Sequence, residues 1–211
     1  MYPEFYLDKN LLLEGLPKLK EFDIEIMQGR TKYGKERKFF KEGIPFISAK
    51  VVTPLGIDFS KDKKFVKPGS PMDCKNAHVE IEDIVFVRVG VGCIGRAAVI
   101  ISEEEKGIAD DWIYILRVRD NRFSPYYLVF WLQTATIQQE IRRLARGVGT
   151  VTVPTSLLKE IPLLLPEQSK LPWYKEMYLK MVNERKKKNL EKASKIMKNV
   201  CSEIEKNLKK E

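Results

Sequence analysis

Residues 85–98 read V-F-V-R-V-G-V-G-C-I-G-R-A-A, with Gly90, Gly92 and Gly95 spelling G-x-G-x-x-G directly after an apolar run. Two folds compete for this stretch. In a dinucleotide-binding unit the glycine turn opens a helix whose N-terminus faces the pyrophosphate, and an acid follows about 20 residues on, at the end of a second strand. Here Gly95 is followed by R-A-A-V-I-I-S, β-branched toward its end, and S-E-E-E-K-G arrives too soon for a crossover helix. Asp110 has the right separation from Gly90, but the K-G-I-A before it is not an apolar strand. One element fits and two fail. The stretch reads as a strand, a tight glycine turn and a returning strand, and no cofactor is expected.

Outward from this hairpin, Ile84–Val89, Ala97–Ile101 and Trp112–Val118 carry the β-branched and aromatic residues of strands. Further strands are expected at Phe22–Met27, Ile44–Ser48 and Ile161–Leu165. A helix is expected over Lys9–Lys20. Ser124 and Pro125 form an N-cap and first-turn pair for another, running to a stop at Gly147. The fold class is mixed α/β (α+β): a compact domain of short strands and helices over residues 1–166.

At Pro166 to Pro172 the composition changes. Of the 211 residues, 38 are Lys or Arg and 29 Asp or Glu; residues 170–211 hold thirteen and six of these, so most of the +9 net charge lies there. No Gly or Pro occurs between Trp173 and Leu208, and Leu190, Ala193, Met197, Val200, Ile204 and Leu208 recur in steps of three and four, the seam of a helix that packs on another. Residues 167–211 are therefore expected to form a second unit, a long helix reaching roughly 50 Å at 1.5 Å per residue. The R-K-K-K at 185–188 interrupts the stripe, as a register shift or a solvated stretch. The seam needs a partner, in this chain or in another; a homodimeric coiled coil is the expectation.

Several functions are disfavoured. No apolar run approaches the roughly 18 residues of a membrane span, and the start, M-Y-P-E-F-Y-L-D-K-N, lacks the basic and apolar regions of a signal peptide; a cytoplasmic location is expected. Cys74, Cys93 and Cys201 have no C-x-x-C spacing, and Cys74 with the only histidine, His78, cannot complete a zinc site, so no metal is expected. Asp83 with Glu104 and Lys106 imitates the D…E-x-K of metal-dependent nucleases, but the E-x-K lies in a polar, turn-like segment rather than on a core strand.

Three blocks, Gly43–Ser60 (G-I-P-F-I-S-A-K-V-V-T-P-L-G-I-D-F-S), Ile81–Ile100, and Arg146–Pro166 (R-G-V-G-T-V-T-V-P-T-S-L-L-K-E-I-P-L-L-L-P), resemble in order the target recognition domain of DNA specificity subunits of type I restriction-modification systems. The similarity covers about residues 22–166, and the C-terminal helix resembles that family's spacer helix. A complete subunit carries two of each; this chain resembles half of one. The resemblance implies a non-catalytic reader of double-stranded DNA that directs methyltransferase (M) and restriction (R) subunits to a bipartite site, with the spacer helix pairing with a second copy or with another specificity polypeptide. The alternative is the recognition domain of a fused N6-adenine DNA methyltransferase of the type IIG kind, which resembles it. No N-P-P-F, D-P-P-Y or G-x-x-x-x-G-K-[ST] motif is present for methyl transfer or ATP use.

DNA reading needs cations for phosphates and polar side chains for base edges. The densest candidate is the loop after the first strand, where Gln28, Arg30, Thr31, Lys32, Tyr33, Lys35, Arg37 and Lys38 fall close together. Lys50, Arg88 and Arg96 flank the resembling blocks, and Arg143, Arg146 and Thr150 lie where the penultimate helix meets its glycine turn. Residues 1–169 have a charge surplus of only two, so this head is expected to bind DNA weakly alone and to act inside a complex.

Overall fold

A computed structural model describes residues 11–209. Its centre is a four-stranded antiparallel sheet in the order β1 (Ile24–Gln28), β9 (Ile113–Val118), β6 (Ile84–Val87), β7 (Ala97–Val99). A three-stranded sheet joins β5 (Phe65–Val66), β2 (Ile44–Ile47) and β8 (Ile108–Ala109), and β3 (Val52–Thr53) pairs with β4 (Gly56–Ile57). All of β6 is buried because both faces of the central sheet are covered, which is why V-F-V reads as a continuous apolar run. Ile84, Phe86, Tyr114 and Leu116 face a helical layer; Val85, Val87, Ile113 and Ile115 face Ile47, Val51, Val52 and Ile57.

The glycine stretch is the expected hairpin. β6 and β7 pair antiparallel with Ile84 opposite Val99, and Gly90 and Gly95 take φ of 114° and 84°, which a side chain rarely adopts.

The helical layer is built on α1 (Pro125–Gln133), apolar on every side and buried from Tyr126 to Leu132. Its polar groups reach backbone: Trp131 Nε1 donates to Pro162 O (2.8 Å) and Tyr127 OH to Leu164 O (2.6 Å). Ser124 caps it as expected, its Oγ accepting from Tyr127 N. The helix does not run on to Gly147. It breaks at Thr134, whose ψ of 150° is extended and whose hydroxyl accepts from Ile137 N to cap α2 (Ala135–Leu144). A short α3 (Thr155–Leu158) follows the glycine turn.

The C-terminal segment is a helical hairpin, α4 (Leu171–Lys186) and α5 (Leu190–Leu208), not one rod. The R-K-K-K interruption is its bend. Lys188 has φ of 63°, and Asn189 caps α5 by accepting from Lys192 N. Ion pairs Lys192–Glu184 (3.2 Å) beside the bend and Lys170–Glu203 (3.2 Å) far from it cross between the two antiparallel helices. α5, at 19 residues, is the longest described helix and spans roughly 28 Å. The expected dimer seam is overturned: Ala193, Met197, Val200, Ile204 and Leu208 are buried in this chain, in one cluster with α1 and the sheet, and Leu190 is exposed at the bend. The seam's partner is intramolecular, α4 and α1.

Two further expectations fail locally. The expected helix over Lys9–Lys20 lies outside the described residues at Lys9 and Asn10, and the rest holds only 3-10 turns at Leu11–Leu13 and Leu19–Glu21, separated by Gly15 and Pro17. The start of the chain, residues 1–10, also lies outside the described residues. Ile161–Leu165 is extended but forms one bridge, Pro162 opposite Lys18, because prolines at 162 and 166 remove ladder donors.

Candidate nucleic-acid interface

The strands of the central sheet bring three connections to one end. Gln28 ends β1, Val87 ends β6, Ile113 opens β9 and Ala97 opens β7; β2 and β8, which run parallel, also finish there, leading to Ser48–Lys50 and Asp110–Trp112. The Arg146–Thr152 loop joins them: Gly90 N donates to Val151 O (3.0 Å) and Val153 N to Arg88 O (2.9 Å).

The basic loop is anchored at its start. Gly29 N donates to Ile113 O and Arg30 N to Ala109 O, and the backbone passes so close to Asp110 O that no Cβ fits at Gly29. Beyond the anchor, Arg37 is pinned. Its guanidinium donates to Thr31 Oγ1 (3.2 Å), lies 3.6 Å from Asp110 Oδ2, and stacks within 6 Å of the Tyr33, Phe39 and Phe46 rings. Tyr33 OH donates to Asp111 Oδ2. Lys32 faces Glu36 at 4.0 Å, a solvated pair of little weight. Arg30, Lys35, Lys38 and Lys50 are exposed.

Gln28 Nε2 and Arg88 Nη1 both donate to Asp111 O at 3.3 Å, tying the basic loop and the glycine hairpin to the Asp110–Trp112 turn. The Arg88 guanidinium lies 5.0 Å from the Tyr114 ring centre, and its buried Nε has no hydrogen-bond partner among the described residues. Arg96 folds back on the turn, donating to Gly92 O (2.9 Å). Arg146 donates to the backbone carbonyls of Arg143 and Ala145, and Thr150 is exposed at the loop tip beside the fully exposed Val148. Tyr33, Val91 and Trp112 are exposed on the same rim. Of the fourteen candidate DNA-contacting residues, the structure ties eleven to this end by contacts, and Lys35 and Lys38 are exposed in the same basic loop. Arg143 stands apart: it is held by Glu140 at 2.6 Å and lines a separate depression with Leu13, Glu14 and Glu160.

Sequence reading misses Asp110, Asp111 and Trp112, which sit at the centre of the cluster. By pattern alone Asp110 stands out only as a possible ribose acid, and Trp112 only as a strand residue. Burial pushes the Asp110 carboxyl up to about 7, helped by Asp111 beside it and opposed by Arg37. The hydrogen bond to Asp111 holds the Tyr33 hydroxyl above the ordinary tyrosine value. Two depressions open here, one of about 780 Å³ under Gln28–Lys32 and one of about 250 Å³ between Tyr33, Lys50 and Trp112.

The nuclease-like trio does not assemble. Both Asp83 oxygens accept from Arg117 (2.8 Å each), Lys106 pairs with Glu80 (2.5 Å), and Glu104 is exposed. Among the described residues no group of three metal-ligating side chains converges, and no helix is long and apolar enough to cross a membrane.

Solved structures share this mixed α/β fold over most of the chain. Similar solved structures include the S subunit of a type I restriction-modification system from M. genitalium (TM-score 0.50, 16% identity, covering 88% of this chain and 42% of that one). A chain from a structure of type I restriction-modification complex assembly and conformational transition gives a TM-score of 0.53 at 16% identity, covering 90% and 44%. The type IIG restriction endonuclease BpuSI gives 0.53 at 11% identity, covering 88% and 31%. This chain thus spans less than half the length of each. No protein-family model matches the sequence, and a search of curated proteins finds no match.

Proposed function

We propose that this chain is a sequence-specific DNA-recognition subunit, or one recognition half of one, of a type I restriction-modification system. It is non-catalytic, and it directs methyltransferase and restriction subunits to DNA in the cytoplasm. The carrying observation is the convergence of eleven sequence-nominated residues at one end of the sheet, on a fold shared with type I specificity subunits. Loops carrying cations and exposed aromatic or apolar tips supply what groove reading needs: charge for phosphates and polar side chains for base edges. The likeness to a type IIG enzyme favours a second reading, in which the same domain serves a fused adenine methyltransferase.

Replacing Arg30, Lys32 and Lys35 together by alanine, in the complex reconstituted with the methyltransferase subunit, tests the interface. Duplex affinity should fall at least about tenfold at low salt, and the slope of log affinity against log salt should shrink by about one for each phosphate no longer neutralised, with melting temperature unchanged. An unaltered salt series removes this loop from the interface. Mapping adenine methylation in the host with and without the gene tests the wider role: loss of a bipartite mark is expected, and an unchanged methylome contradicts it.

A further inference from the structure

A phosphate-binding account leaves the Asp110–Trp112 turn unexplained, because it sets two carboxylates among cations that face a polyanion. Asp111 is the more accessible of the two; Asp110 is buried. The Asp111 backbone carbonyl ties together the basic loop and the glycine hairpin, through Gln28 and Arg88. Its side chain is oriented by the Tyr33 hydroxyl. Asp111 also lines both depressions of the interface, with the exposed Trp112 ring beside it in the smaller one.

A carboxylate repels phosphates, so the parts of a duplex it can favour are N–H donors on base edges. In the major groove these are the amino groups of cytosine N4 and adenine N6. Adenine presents the N7 acceptor beside its amino group, which opposes a carboxylate, whereas cytosine presents the donor alone. We propose that Asp111 is a specificity-determining residue of this interface, its carboxylate accepting a hydrogen bond from the exocyclic amino group of a cytosine while the neighbouring cations hold the flanking phosphates. The inference rests on the DNA-recognition reading above and deepens it to a base class.

Selection from randomised duplex DNA by the full chain reconstituted with its methyltransferase subunit, with Asp111→Asn and Tyr33→Phe alongside, tests it; thermal melting confirms that each variant is folded. The unmodified chain should require cytosine at one position. Asp111→Asn presents an amide that can turn a donor toward the base, so it should lose about tenfold of the preference at that position and keep or gain affinity for random duplex. Tyr33→Phe, which frees the carboxylate, should weaken the preference at that same position by less. A variant at Asp111 that keeps both motif and affinity overturns the inference and leaves the DNA-recognition reading standing, as does a folded variant that loses all duplexes equally. Adenine at the Asp111-sensitive position overturns the choice of cytosine. Failure of the unmodified complex to enrich any sequence overturns the inference and the reading together.

Discussion

The two ends of the central sheet use the same side chains to opposite effect. At the end where β1 begins and β9 finishes, charges are consumed internally: Arg117 grips Asp83 with two hydrogen bonds, Arg119 pairs with Glu25, and Arg122 holds Asp120 and stacks 4.5 Å from the Phe22 ring centre. At the other end Arg30, Lys35, Lys38 and Lys50 project from loops, and of the two aspartates only Asp110 faces an arginine, Arg37. The contrast shows in two carboxyls of one chain. Arg122 draws Asp120 down to about 2, and burial drives Asp110 up to about 7. An end that neutralises itself serves folding; an end with unspent hydrogen-bonding capacity is available for a ligand.

Both ends hang on the same helical layer, so the largest effect should come from breaking that layer. Val200→Lys places an ammonium in the buried cluster between α5 and α1 and should cost on the order of 4 kcal/mol. Thermal melting should drop steeply and both ends should be lost together. If the variant instead melts normally and its mass in light scattering falls from dimer to monomer, the seam is intermolecular after all. Next in size is the closed end by itself. Arg117→Ala strands a buried Asp83 carboxylate and should destabilise by about 3 kcal/mol in chemical denaturation, while the folded fraction binds duplex with unchanged affinity. Reduced affinity of the folded fraction would mean that the two ends are not independent.

Much of this division is legible in the sequence, and the failures have physical causes. β6 and β9 are readable because burial demands runs rich in β-branched and aromatic residues, and the glycine turn because a helix start is missing after it. The basic loop is readable as a cluster of like charges. The bend at Lys188 is not, because left-handed geometry is usually announced by glycine, and here a lysine adopts it with Asn189 capping the next helix. The break at Thr134 is hidden for a similar reason: threonine fits a helix pattern, and only its side-chain bond to Ile137 N marks a new start. The α5 seam is recognisable as a packing face, but periodicity cannot say whose helix it meets. Asp110 and Asp111 escape because a search for DNA contacts looks for positive charge. Their place at the interface is set by β8 running parallel to β2, a long-range pairing that no local pattern encodes.

The smallest effect compares two aspartates, one from each end, through pH. The folded Asp110 carboxyl binds its proton more tightly than an unfolded one near 3.8, so the native state holds the extra proton between about pH 4 and pH 7. Stability therefore falls as pH rises through that window, and the buried charge weighs fully above it. Asp110→Asn resembles the protonated form, so it should match the unmodified chain only below about pH 4, gain on it as pH rises from about 4 to 7, and melt higher than it by a constant margin above pH 7. Asp120 has the opposite sign. Its folded carboxyl sits near 2, so its contribution is complete above about pH 4 and fades as pH falls toward 2. Asp120→Asn should therefore lower the melting temperature at pH 7 and change little at pH 2. Two difference profiles of opposite slope are expected. Parallel profiles would show that the two ends of the sheet treat charge alike, and the distinction between a self-neutralised end and an available one would have no electrostatic basis.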